Sequence, residues 1–332
     1  MAYTTIDDPS VYFQTKLYTG TGSSQAYTND GNSDLQPDWL WIKIRSGADS
    51  HHVFDSTRGV TKRLLTDTNG AETTISDNSN LTAFGSDGFT LGGNGGVNGS
   101  SSTYAAWQWK CNGGTETNSQ AESGSNIACS VQANTTAGFS IITYTGTGGT
   151  GHTFLHGLGS APAWFIIKRR SGTEDWAVYH HKNTSQPETD HLLLNSTAAT
   201  DDSETRFDDT APNGTEIALG NNAVGNADGS TYVCYAFKEI QGYSKFGGYT
   251  DAAKNWYIAD STRSPNNITK AFLVPNTNAA EDTSGDGTNA YFDILSNGFK
   301  LRQDFSHLNA NGAAHIYMAF AEHPFVSSEG VP

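Results

Sequence analysis

The chain has 332 residues, with 34 Asp and Glu against 19 Lys and Arg and a net charge of −15. That balance argues against nucleic acid as a partner, because no Lys/Arg cluster offers itself to phosphates and the overall field repels them. Only 16% of residues are charged, 36 are glycine and 11% are aromatic; such a chain suits short strands and tight turns, and its ring anchors argue against disorder.

No apolar run approaches the ~18 residues that cross a bilayer, so no membrane partner is expected. Met1-Ala2-Tyr3-Thr4-Thr5 has no basic region followed by an apolar stretch, so no secretory signal is expected. The three cysteines, Cys111, Cys129 and Cys234, are an odd, sparse set. Reduced thiols are the expectation, with Cys111 and Cys129 as the one pair that could meet across a linker.

In chain order, Trp39-Leu40-Trp41-Ile42-Lys43-Ile44 reads as a strand with Trp39, Trp41 and Lys43 on one face and Leu40, Ile42 and Ile44 on the other. Both faces are bulky, which predicts burial on both sides. Gly92-Gly93-Asn94-Gly95-Gly96 reads as a flexible loop, and Asn98-Gly99 as a hairpin turn before an aromatic strand from Tyr104 to Trp109. The Gly/Ser-rich stretch from Cys111 to Ser125 reads as a polar connector. Residues 128–132 and Ser140 to Tyr144 read as a hairpin closed by Ala133 to Gly138, and Phe165-Ile166-Ile167 repeats the Trp39 pattern. Aromatic strands close the next units at Tyr232 to Phe237, after Asp228-Gly229, and at Tyr317 to Phe320, after Asn311-Gly312. Lys238 to Tyr243 is a tight join that predicts direct packing of its neighbours.

The same blocks pass through the chain three times. Tyr18-Thr-Gly-Thr-Gly22 returns as Tyr144-Thr-Gly-Thr-Gly148, Pro37-Asp-Trp39 as Pro162-Ala-Trp164, and Asp55-Ser-Thr-Arg58 as Asp260-Ser-Thr-Arg263. Ser86-Asp-Gly-Phe89 returns as Ser296-Asn-Gly-Phe299. Repeats of this kind are folding units used several times. The expected units are 1–115, 116–240 (connector included) and 241–332. The fold class is all-β, tandem jelly-roll-like antiparallel β-sandwich units. Unit three is shortened: the stretch from Tyr18 to Asp55 in unit one corresponds to the much shorter Tyr249 to Asp260, without the Pro-x-Trp strand. Truncation, a strand from a neighbouring chain, and a missing part of the natural sequence all fit that deficit, and a sandwich short of a strand exposes an edge.

The search for chemistry finds little that is specific. His152 and His156 would share a strand face, compatible with a metal, but Gly151, Gly157 and Gly159 favour an ordinary turn-flanked strand. His51-His52 and His180-His181 read as solvated or packed. Asp282-Thr-Ser-Gly-Asp-Gly287 resembles a calcium loop only loosely. Asp201-Asp202 and Asp208-Asp209 are carboxylate pairs of the kind a glycosidase uses, but they do not recur, so an acidic loop is the better reading. In the repeated Asp-Ser-Thr-Arg segments, Asp55 with Arg58 and Asp260 with Arg263 could each pin a turn or hold a sugar or carboxylate, and the architectural role leads. These four residues, with Trp176 and Trp256, are the candidate surface or ligand-contact positions. No catalytic residue, metal or cofactor is expected.

Taken together, Tyr144-Thr-Gly-Thr-Gly148, Gly157-Leu-Gly159 with Pro162, Ile167-Lys-Arg-Arg-Ser-Gly-Thr173 with Asp175-Trp176, and the block from Ser296 to Leu301 with Tyr317 to Glu322 resemble a family of repeat-containing virion proteins of marine tailed phages, cyanophages among them. The resemblance implies a non-enzymatic structural protein, assembled in the host cytoplasm and exposed on the particle. A tail-fibre or appendage role leads, because tandem sandwiches make extended objects; capsid decoration follows, then a carbohydrate-binding module or a polysaccharide depolymerase. Implied partners are other virion proteins, further copies of the chain, as a trimer for instance, and a host surface glycan.

Overall fold

The computed structural model describes residues 4–250, 255–267, 269–283, 292–295, 298–302 and 314–321. The turn expected at Asn311-Gly312 and most of the Asp282 to Gly287 loop lie outside them. Nearly all regular structure is antiparallel β, a sandwich architecture as the sequence predicts.

Unit one builds a six-stranded sheet in the order Phe13–Thr19, Thr103–Trp109, Trp39–Ile44, His52–Asp55, Lys62–Leu65, Thr73–Thr74. Unit two repeats it as Phe139–Thr145, Thr231–Phe237, Trp164–Arg169, Ala177–His180, Asp190–Leu193, Asp201–Asp202, with Cys129–Asn134 and Asn118–Gln120 added at the first edge. Registers match residue for residue. Thr19 faces Thr103 as Thr145 faces Thr231, and Trp39 faces Asp55 as Trp164 faces His180. Unit three keeps the first pair, with Thr250 facing Ala314 and Ser244 facing Phe320. Its Ile258–Leu273 bridge stands where Val53 faces Leu64 and Val178 faces Leu192. Among the described residues no strand pairs with the second edge of Ala314–Phe320.

Strand alternation explains why both faces of the large sheets are apolar. Leu40, Ile42, Tyr104 and Ala106 turn outward, onto a small sheet of Gln25–Tyr27, Phe89–Leu91 and Leu81–Phe84. Phe165, Ile167, Tyr232 and Cys234 do the same in unit two, where Phe154 and Ile217 of the small sheet complete the cluster. The opposite faces meet each other. Trp39, Trp41, Trp107 and Trp109 share one core with Phe139, Trp164, Ile166, Tyr235 and Phe237, and Phe246 and Leu273 of unit three join it. Trp39 stacks on Tyr235 at 4.6 Å, Phe13 on Phe320 at 5.3 Å, and Phe237 meets Phe246 at 6.0 Å. The three units therefore converge on one aromatic core.

Two local expectations are corrected. Gly95–Asn98 is a short helix capped by the Asn94 side chain, so neither the flexible loop nor the Asn98-Gly99 hairpin turn forms. Asn98 is fully buried, takes a hydrogen bond from Thr21 N (2.9 Å) and gives one to Gly92 O (2.7 Å); Asn226 repeats this with Thr147 N and Gly220 O. The connector is pinned: Gly113 N donates to Asp38 and Gly114 N to Gln132, while Asn118–Gln120 forms a strand. Cys111, Cys129 and Cys234 are free, buried thiols, so the Cys111–Cys129 bridge is absent.

Candidate functional site

The polar residues singled out by the sequence gather where one unit meets the next. Asp55 ends an inner strand of unit one, and the turn after it brings Arg58 back onto the same carboxylate. Arg58 Nε donates to Asp55 Oδ2, Nη1 to Glu72 (3.0 Å) and Nη2 to the Tyr235 hydroxyl of unit two (3.0 Å). Tyr235 donates in turn to Asp55 at 2.6 Å. Arg170 of unit two closes the knot with two bonds to Glu72, at 2.8 and 3.0 Å. Burial opposes the charge on Arg58, but Asp55, Tyr235 and Glu72 outweigh it and raise its pKa. Burial acts against the Glu72 carboxylate too, and Arg170 with Arg58 reverses that and lowers it.

Unit three grips unit one in the same way. Arg263 donates to Asp260 (2.6 Å) and to Glu281 (3.1 Å), and Arg45 of unit one binds Glu281 through Nε and Nη2 at 3.0 and 2.8 Å. Trp107 stands in Tyr235's register position; its Nε1 donates to Asp260 at 3.1 Å and its ring lies under Arg263 at 5.2 Å. Arg45 and Arg170 each follow a buried lysine by two residues. Lys43 reaches the Ile44 carbonyl (2.8 Å) and Lys168 those of Arg169 (3.0 Å), Glu174 (2.8 Å) and Asn69 (3.1 Å), and desolvation pulls both ammonium groups down to about 8.

Unit two meets unit three differently. His180 occupies Asp55's register position, donating from Nε2 to Tyr317 O (3.3 Å), and His181 Nε2 donates to Phe246 O (2.8 Å). Burial pulls His180 down to about 4, which keeps it neutral. Each unit thus reaches onto the next, one to two, two to three and three to one.

A second cycle runs the other way. Trp176 Nε1 donates to the Leu65 carbonyl of unit one at 2.9 Å, and Trp256 Nε1 to the Leu193 carbonyl of unit two at 3.1 Å. His51 holds the equivalent position in unit one and is acted on by the Val274 backbone, although its Nε2 falls short of hydrogen-bond geometry. Burial holds this histidine well below the usual range.

The expectation that Asp55, Arg58, Arg263, Asp260, Trp176 and Trp256 offer surface or ligand contacts is therefore corrected. The Arg58 and Arg263 side chains reach no solvent and Trp176 is buried. Asp55 is buried, and Asp260 and Trp256, half-buried, are spent on neighbouring units. The physical reason is that a desolvated guanidinium needs carboxylates close at hand, and the units supply them to each other. His152 and His156 part company: His152 bonds Thr147 Oγ1 (2.7 Å), and His156, buried, bonds Asn213 O (3.1 Å). Asp201 and Asp202 pair in a strand, while Asp208 and Asp209 take positive φ after a helical turn. Among the described residues no three His, Cys, Asp or Glu side chains gather as a metal site.

The model of one family spans nearly all of these elements, matching residues 8–253 and again 250–324. The chain belongs to the family described as a domain of unknown function, DUF7483. Its first match takes in units one and two together, and its second covers unit three. No curated protein and no solved structure matches the chain.

Glu72, Glu281, Arg45 and Arg170 were missed in the sequence. The signal is there in the shared Lys-x-Arg at the end of two equivalent strands, Lys43 to Arg45 and Lys168 to Arg170. The glutamates escape because they follow their arginines at different separations, 14 residues for Glu72 and 18 for Glu281.

Proposed function

We propose that the chain is a non-enzymatic structural protein on the surface of a tailed-phage particle. One observation carries the reading: the polar residues that repeat along the sequence are spent on joining units to one another. Their chemistry is that of assembly, with buried carboxylates and arginines neutralising each other across unit boundaries. The resemblance to virion proteins supplies the setting.

Within that reading, decoration of the head takes precedence over a fibre shaft. The argument for a shaft rests on sandwiches strung end to end, and a core shared by three units removes it. A body that closes its own cycle of three joins suits a place on a lattice, and the single chain is the assembling unit. The aromatic-platform argument for a glycan-binding module also weakens, since Trp39, Trp41, Trp107, Trp109, Trp164 and Trp176 are all buried.

Immunogold labelling of intact phage particles tests the proposal. Label over the whole head is the expected result. Label confined to tail or fibres would overturn decoration in favour of an appendage, and no label on intact particles would overturn surface exposure.

A further inference from the structure

We propose that a shallow, open depression on the outer side of unit one binds a saccharide unit through its hydroxyl groups. It holds about 330 Å³ and is lined by Arg63, Thr74, Asp77, Ser79, Asn80 and Asn94, among others. The proposal goes beyond the structural role and does not depend on it.

Arg63 is the first reason. Every other arginine named so far is locked to a carboxylate, but the Arg63 guanidinium has no hydrogen bond or ion pair to protein. Its Nε is shielded and unpaired, and its two amino nitrogens remain open. Asn80 is the second: it is 2% exposed, its Oδ1 has no partner, and its amide reaches only Ser79 Oγ, at 3.1 Å. Buried polar atoms are rarely left unmatched, and those that are call for an explanation. Behind this wall, buried His52 has neither ring nitrogen in a hydrogen bond, with Asp49 at 3.7 Å.

The equivalent place in unit two is the third reason. Gly92 N donates to Asn80 O as Gly220 N donates to Arg206 O, so Arg206 stands where Asn80 does. Arg63 pairs with Thr73 as His191 pairs with Asp201, so His191 stands where Arg63 does. The two residues at this place have changed and the arginine has moved to the other wall, yet one remains. Arg206 has Nε and Nη1 unpaired, and His191, 2% exposed, has Nδ1 unpaired. A guanidinium with unspent donors is thus kept at the same place in two units by different residues. In unit three the position of Arg63 is taken by Phe272, which offers no guanidinium.

The lining decides the ligand class. A bare anion would suit Arg63 but would meet the Asp77 carboxylate on the same wall. Vicinal sugar hydroxyls accept from Arg63 while donating to Asp77, using both signs at once.

The test is titration of the full chain with a panel of neutral monosaccharides and uronic acids, followed through the Arg Nε–H and Asn side-chain signals in nitrogen-15 NMR spectra. Sodium phosphate and sodium acetate serve as bare anions. Saturable shifts of the Arg63 Nε–H and Asn80 amide signals with one or more sugars are expected in the unchanged chain, and the affinity read from the Asn80 amide signal should fall at least about tenfold in Arg63→Gln, the loss typical of a hydrogen bond to a charged group. Arg63→Lys provides a second variant if Arg63→Gln misfolds. The proposal is overturned if no sugar moves these signals, if the shifts persist in the variants, or if phosphate and acetate alone reproduce them.

Discussion

Two joins in this molecule are built alike and the third is not. Where unit one meets unit two and where unit three meets unit one, an Asp-x-x-Arg turn, a glutamate and a half-buried arginine from the next unit form a four-residue knot. Where unit two meets unit three, His180 and Asn183 stand in place of aspartate and arginine, and exposed Thr200 in place of Glu72 and Glu281. The difference has one cause. The arginine that closes each knot lies at the end of the Pro-x-Trp strand, and among the described residues unit three has no such strand. Position 200 accordingly carries a threonine, whose hydroxyl donates to Asn183 Oδ1 at 2.9 Å. The shortened unit three thus meets different residues of unit two at this join.

The sharpest way to break this comparison is to remove the arginine. Arg58→Met leaves Asp55 and Glu72 short of a partner in the interior and should cost about 3–5 kcal/mol in chemical denaturation. Asn183→Met, its counterpart in the third join, should cost under about 1 kcal/mol by the same measurement, because no buried charge is orphaned. Equal losses would mean that the knots do not distinguish the joins.

The reverse cycle should respond less. Trp176→Phe removes the bond to Leu65 O and part of the ring volume, with an expected loss of about 1–3 kcal/mol. His51→Phe should cost a similar amount: His51 Nε2 makes no bond across the join, but Nδ1 accepts from the buried Trp41 Nε1 at 2.9 Å, which the substitution would leave unpaired.

The buried lysines give a pH test confined to the two strong joins. Their folded pKa of about 8 lies below the ordinary lysine value of 10.5. Between these values the unfolded chain holds more protons than the folded one, so these groups make stability rise with pH over that window. The penalty for burying the charge is fully present below pH 8 and fades above it. Unfolding curves should show this rise, and Lys43→Met combined with Lys168→Met should flatten it. A slope unchanged in the double variant would show that the lysines are better solvated than their burial implies.

The smallest expected effect is Thr200→Glu, which should change stability by no more than about 0.5 kcal/mol because the position is exposed. A substantial gain would reveal a cation at the third join after all.

Much of the fold was legible in the sequence because it depends on local periodicity. The alternation in Trp39 to Ile44 gave a strand buried on both faces, and the recurrence of Tyr18, Tyr144 and Tyr249 marked the first strand of each unit. In the structure these rings stack in the same way, Tyr18 on Tyr104 and Tyr144 on Tyr232 at 5.0 Å, and Tyr249 on His315 at 5.1 Å. The Gly95–Asn98 helix was not legible, because its single turn depends on the Asn94 cap and on buried Asn98 bonds across 77 residues to Thr21.

The sequence by itself determined the units, their strands and the residues that recur. Only the tertiary structure decided that the units share one core, that Arg58 and Arg263 point inward, and that Glu72 and Glu281 complete their knots. A repeat pattern records which face of a strand is apolar but not which sheet will cover it. The partner of a buried charge is likewise set by distance in space, which the spacing of residues along the chain does not encode.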